Sequence, residues 1–195
     1  MACSNSMRSE RLRLFYALWA DARLRRGVGR LVRSWRSSLS CRWVVPDKLH
    51  VTLAFLGDMP IERMGDLYGI GESIAVPPFE LEFDRLEIWK RAEVLCLIPS
   101  AMPEPLLLSV NRLNSALEQA GFSTEKRAFR PHLTLARGVR SLPDGGAGFP
   151  GIVFAPERWS LAESRPGEHG APYRVLRSWP LLGPSPDGTT VGDES

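Results

Sequence analysis

Three histidines occur in the 195 residues, and two of them open the same five-residue pattern: His50-Val51-Thr52-Leu53-Ala54 and His132-Leu133-Thr134-Leu135-Ala136. An imidazole titrates near pH 6.5 (about the unperturbed value), so of two placed together one can be neutral while the other is protonated. In-line displacement at phosphorus uses such a pair. A base activates the nucleophile on one side of the phosphate, and an acid protonates the departing oxygen on the other. A threonine hydroxyl two residues after each histidine can hydrogen-bond a non-bridging oxygen and stabilise the charge that develops there. The candidate catalytic residues are His50, Thr52, His132 and Thr134, in a chemistry that asks for no metal and no cofactor.

The rival chemistries lack their parts. A metal site would want His-x-His, a carboxylate within either motif or a cysteine pair, and none is present. A serine triad needs one base rather than two, together with a nucleophile elbow that the chain does not contain. Cys3, Cys41 and Cys96 are odd in number and widely spaced, which argues against a disulfide framework and reads as incidental or buried thiols. His169, between Glu168 and Gly170, reads as a surface loop residue.

The motifs need elements to present them. Both are short, apolar-rich and flanked by turn-formers, so each reads as a strand following a helix. On a regular strand His50, Thr52 and Ala54 share one face while Val51, Leu53 and Phe55 share the other, and the second copy behaves likewise. Upstream, Leu12–Trp19 reads as a buried strand. It is followed by a helix capped by Asp21, with Leu24, Val28, Leu31, Val32 and Trp35 on its apolar stripe. Arg23, Arg26, Arg30 and Arg33 recur on another face, which reads as solvated or as a phosphate-holding surface. Strands are expected at 42–46 and 49–56, the second ended by Gly57-Asp58. A helix at 61–75 has Ile61, Met64, Leu67, Tyr68 and Ile74 inward and is weakened by Gly65, Gly69 and Gly71. The stretch FELEFDRLEIW reads as one strand, with a hairpin partner at 93–99. A helix follows at 104–120, stopped by Gly121, and further strands are expected at 152–154, 158–163 and 173–182. Helices that do not alternate with single strands indicate an α+β fold with antiparallel sheets.

Length and composition agree with one soluble domain: 44% of residues are hydrophobic and 24% charged, and no apolar run is long enough to span a membrane or serve as a signal peptide. Residues 1–10 and 183–195 read as tails, leaving 11–182 as the domain; a cytoplasmic monomer is expected. The net charge of +3 conceals an uneven distribution, because residues 1–50 hold 11 Lys and Arg against 3 Asp and Glu. A basic end points to an anionic partner such as RNA.

The motifs HVTL and HLTL resemble the paired signatures of the two-histidine (2H) phosphoesterases. The wider stretches RLFYALW, LHVTLAFLG, FRPHLTLARG and LAESRPGEHGAPYRVLRSWPL resemble the RNA 2′,3′-cyclic phosphodiesterase branch, also called 2′-5′ RNA ligase, from Arg11 to Leu182. The resemblance implies a bilobal, pseudo-symmetric fold, with two antiparallel sheets flanking a central cleft and helices outside. It implies hydrolysis of an RNA 2′,3′-cyclic phosphate, or a small cyclic nucleotide, to the 2′-phosphate, with His50 as general acid and His132 as general base. Thr52 and Thr134 would hold phosphate oxygens, and Phe15, Arg130 and Tyr173 would bind substrate. Arg130, two residues before His132 on an extended chain, would share its face. Tyr16 stands where the family more often has a second phenylalanine, which could alter base stacking. The loop at 143–151 has no family counterpart to interpret it. A non-catalytic RNA-end-binding module, another cyclic or nucleotide phosphodiester as substrate, and reversible 2′-5′ ligation remain the alternatives.

Overall fold

The computed structural model describes residues 10–143, 148–165 and 172–182. Most of both tails, residues 144–147 of the Gly- and Pro-rich loop, and His169 lie outside the described residues. Glu10, assigned to the tail from sequence, accepts a hydrogen bond from the Ile61 amide at 3.0 Å.

Two four-stranded antiparallel sheets carry the two motifs. The first has the order β10-β9-β1-β3, from β1 (Arg11–Trp19), β3 (His50–Pro60), β9 (Arg158–Ser164) and β10 (Tyr173–Pro180). The second has the order β2-β7-β6-β5, from β2 (Arg42–Trp43), β5 (Arg85–Trp89), β6 (Val94–Ile98) and β7 (Leu133–Arg137). The α+β antiparallel expectation holds. A small third sheet was not foreseen: β4 (Leu81–Phe83) pairs with β8 (Ile152–Phe154). FELEFDRLEIW is therefore two strands rather than one. The break falls at Asp84, whose carboxylate takes the Ser100 amide at 2.8 Å and the Ser100 hydroxyl. Among the described residues no helix is long and apolar enough to cross a membrane.

The helices follow the sequence closely. In α1 (Ala22–Arg33) the Asp21 carboxylate caps Leu24 N at 2.6 Å, and Leu24, Val28 and Val32 are buried. Leu31 is only half-buried, and Arg23, Arg26, Arg30 and Arg33 are exposed. In α3 (Glu104–Gln119) the expected stripe of Leu106, Val110, Leu113 and Leu117 is buried. Gly121, at φ +79°, closes that helix, with its amide on Glu118 O and the Phe122 amide on Leu117 O. The 61–75 segment begins as a turn of 3-10 helix at Ile61–Arg63, which leaves Ile61 exposed rather than inward, and continues as α2 (Met64–Ser73). The strand expected at 42–46 stops at Trp43, because Pro46 opens another 3-10 turn, Pro46–Lys48, leading into His50.

Glycines in α2 divide by what lies beside them. A Cβ on Gly71 would collide with the buried Trp179 indole, whereas one on Gly69 would meet nothing within 4 Å. Gly71→Ala is expected to destabilise on balance by about 1–2 kcal/mol, because overpacking against a rigid buried indole falls at the upper end of the usual range of about 1–3 kcal/mol and exceeds the roughly 1 kcal/mol that alanine's helix propensity returns. Gly69→Ala is expected to stabilise by about 0.5–1 kcal/mol. Urea unfolding of the two variants checks the contrast, and a Gly71→Ala protein as stable as the parent would contradict the packing.

The pairing of β3 with β1 departs from regular alternation twice. Leu14 pairs with Gly57 and Phe15 with Phe55, so Leu56 is an extra residue, and Gly57 takes φ +74° to accommodate it. Gly57-Asp58 therefore kinks the strand rather than ending it. The second irregularity lies inside the motif: Ala17 pairs with Thr52 and Tyr16 with Ala54, leaving Leu53 unpaired. The same thing happens in the second motif, where Cys96 pairs with Thr134 and Leu95 with Ala136, leaving Leu135 over. Both copies thus bulge at the leucine of Thr-Leu-Ala.

Candidate active site

The bulges decide what each motif shows to the cleft. Up to the threonine the alternation holds, with Val51 and Leu133 in the core and His50, Thr52, His132 and Thr134 half-buried on the open side. Past the bulge it reverses. Ala54 and Ala136 join Leu53 and Leu135 in the core, while Phe55 and Arg137 turn outward. The expected common face of His50, Thr52 and Ala54 is corrected accordingly, since an extra residue rotates everything beyond it to the other side of the sheet.

The two motif strands approach one another across the molecule. His50, Thr52, His132 and Thr134 line a single cavity of about 300 Å³ together with Trp43, Lys48, Arg137 and Tyr173. Each histidine is held in the same way. His50 Nδ1 lies 2.8 Å from Lys48 O, and His132 Nδ1 lies 2.9 Å from Arg130 O. A carbonyl only accepts, so Nδ1 carries the hydrogen in both rings and Nε2 is left to exchange a proton with a ligand.

The surroundings of the two rings differ. His50 is boxed by Phe15, Trp19 and Tyr173, with ring centroids 5.2, 5.1 and 5.1 Å away. Among the described residues the one aromatic ring against His132 is Trp89, tilted at 49° with its centroid 4.3 Å away. Burial pulls the His50 pKa below the ordinary histidine value. The bond to Lys48 O opposes this, and the nearby His132 and Arg137 add to the lowering. Burial likewise lowers His132, opposed by the bond to Arg130 O and assisted by the Arg130 charge.

A reaction needing one imidazole neutral and the other protonated runs fastest between the pair's two macroscopic pKa values. Both shifts are downward, so kcat/KM for the free enzyme is expected to peak below about pH 6.5, the unperturbed value. It should fall as pH rises through neutrality, while a bound anionic substrate moves the alkaline limb of kcat upward. A kcat/KM profile peaking above pH 8 would contradict this electrostatic setting.

The other sequence-derived residues divide. Tyr173 lines the cavity. Phe15 is only 3% exposed and backs His50 instead of facing the cavity. Arg130 lies just before β7, pairs with Glu87 at 2.8 Å and sits 5.7 Å from the Trp89 ring centroid, outside the cavity lining. Tyr16, the departure from two phenylalanines, is fully buried and donates its hydroxyl to Leu67 O at 2.7 Å. It ties β1 to α2 and does not meet the cleft. Thr134 Oγ1 is 3.9 Å from the buried Cys96 sulfur, whose thiol burial pushes up to about 11.

Arg137 was missed. Five residues from His132, it would point away from that ring on a regular strand, and only the bulge at Leu135 brings it to the cavity. The signal was present: Leu135 and Ala136 are consecutive apolar residues before a charge, a run that strict alternation cannot bury on one face. Trp19, Trp43 and Lys48 were also missed, for want of any local pattern.

A family model described as LigT-like phosphoesterase matches residues 18–96. The Escherichia coli protein named RNA 2′,3′-cyclic phosphodiesterase is 30% identical over 180 residues, which span 89% of this chain and 98% of that protein. This chain is a LigT-like phosphoesterase. Solved structures agree with the sequence match: apo E. coli LigT superposes on this LigT-like phosphoesterase with a TM-score of 0.77 at 30% identity, covering 89% of this chain and 99% of the other. E. coli LigT complexed with 3′-AMP superposes at 0.76 and 28% identity, covering 88% and 99%. A LigT-like phosphoesterase is an enzyme of the phosphodiesterase class, which removes the purely RNA-binding alternative raised by the sequence.

Proposed function

We propose that this phosphoesterase hydrolyses terminal 2′,3′-cyclic phosphates of RNA, leaving a 2′-phosphomonoester and a free 3′-hydroxyl. The observation that carries the proposal is the shared cavity: two imidazoles, each fixed at Nδ1 by a backbone carbonyl, meet in a space of about 300 Å³. His132 Nε2 takes a proton from water as the water oxygen bonds to phosphorus. The bond from phosphorus to the 3′ oxygen breaks, and His50 Nε2–H supplies that oxygen's proton. The direction of this assignment rests on the family resemblance. Two protons then exchange with solvent, one leaving His132 and one reaching His50, before the next turnover.

Thr52 and Thr134 stand beside the histidines with hydroxyls suited to non-bridging oxygens, and the Arg137 guanidinium offers two parallel donors to the same phosphate. Among the described residues no three His, Cys, Asp or Glu side chains are grouped to hold a metal ion. The names borne by the curated relatives support the choice of RNA cyclic phosphate over other diesters.

The test is incubation of the purified protein with an oligoribonucleotide ending in a 2′,3′-cyclic phosphate, with and without EDTA, and identification of the product. A 2′-phosphate formed at the same rate in both is expected. A 3′-phosphate product, or loss of activity in EDTA, would overturn the reading.

A further inference from the structure

A second opening adjoins the catalytic cavity and shares Thr52 and His132 with it. Its volume, about 720 Å³, is more than twice the cavity's 300 Å³. Phe55, Trp89, Arg91, Arg127, Phe129 and Arg130 are among the residues that line it. Part of this surface is apolar and aromatic and part is cationic. Among the described residues its one acidic lining residue, Glu125, is already paired with Arg127 at 2.7 Å.

The paired bulges set the two openings against each other chemically. Phe55 and Arg137 hold the same place in the two motifs, five residues after the histidine, and are turned outward by the same irregularity. Arg137 lines the catalytic cavity, whereas Phe55 lines the adjoining groove and is 45% exposed. Where one repeat offers a cation for a phosphate, the other offers a flat apolar ring. The Arg13 guanidinium sits 4.7 Å from that ring's centroid. An exposed phenylalanine is costly to solvate and suits a partner that brings its own π-face.

We propose that this groove binds the nucleotides on the 5′ side of the scissile phosphate, with a base stacked on Phe55 and Arg91 against the backbone. The inference rests on the RNA substrate proposed above and adds a direction to it. The terminal phosphate lies between the histidines, and the chain leaves through the opening that carries aromatic rings and cations together. That combination binds single strands with little base preference. A peptide would suit the apolar part of the groove, but not its continuity with a phosphate site.

The experiment compares a tetraribonucleotide ending in a 2′,3′-cyclic phosphate with the corresponding cyclic mononucleotide. Phe55→Ala is expected to lower kcat/KM for the tetranucleotide about tenfold, within the range measured for removing one base–aromatic stack, and Phe55→Trp to restore it. The loss should be confined to the longer substrate, whose turnover alone uses the groove. An equal loss on both substrates, or none on either, overturns the proposal. A second measurement separates it from the reading it rests on: fluorescence anisotropy of a labelled tetraribonucleotide bearing a 3′-phosphate. Binding weakened about tenfold by Phe55→Ala, with Arg91→Gln reducing its salt dependence, supports the groove even if the wild-type protein hydrolyses neither cyclic substrate, an outcome that overturns only the proposed reaction. Unchanged binding in both variants overturns the groove.

Discussion

His132→Ala and His50→Ala are each expected to lower kcat on an RNA cyclic phosphate by about two to four orders of magnitude, the usual contribution of a positioned acid or base. Substrate affinity should change far less, because the threonines and Arg137 remain to hold the phosphate. The double variant should be little worse than either single one, since the two groups act in one transition state. The roles separate when the leaving group is changed. With a cyclic phosphate carrying sulfur at the 3′ bridging position, the departing thiolate needs no proton. His50→Ala should then recover most of its activity while His132→Ala should not. The opposite pattern would exchange the two assignments, and wild-type rates in both variants on the natural substrate would remove the paired mechanism. Thermal unfolding provides the control, because both rings are only half-buried and neither anchors the core.

Arg137→Ala should cost about two to three orders of magnitude in kcat/KM, the scale of removing a preorganised donor from a developing oxyanion. The side chain is exposed, so stability should scarcely change. Arg137→Lys should restore only part of the loss, because an ammonium keeps the charge without the two-pronged geometry. A third readout is independent of rate. Arg137 is one of the charges that lower the His50 pKa, after burial, the largest cause. Removing it should move the kcat/KM profile's His50 limb toward higher pH, and an unmoved limb with a wild-type rate would show that the guanidinium is a bystander.

Much of this molecule could be read from local pattern. The cap at Asp21, the buried stripes of α1 and α3, the glycine closing α3 and the alternation of Phe79, Leu81 and Phe83 follow from the periodicity of single segments. The proposed catalytic quartet of His50, Thr52, His132 and Thr134 was visible as a group because its signal was a repeat, which needs no knowledge of what pairs with what. Substrate contacts were harder. Phe15 and Arg130 were placed by resemblance and an assumed straight strand; Phe15 packs behind His50, and Arg130, engaged with Glu87 and Trp89, lines the adjoining groove rather than the smaller cavity.

The sequence by itself determined that two His-x-Thr units exist and that each rides on a strand after a helix. Tertiary structure alone decided that they open into one cavity and that Arg137 and Phe55 serve different openings. It also decided that Gly57 bends β3 instead of ending it. The physical reason lies in where the information sits. Alternation is a property of one chain segment, but a bulge exists only as a mismatch in residue count between two paired strands. Tyr16 opposite Ala54 and Leu95 opposite Ala136, far apart in the chain, set which side chain reaches each opening.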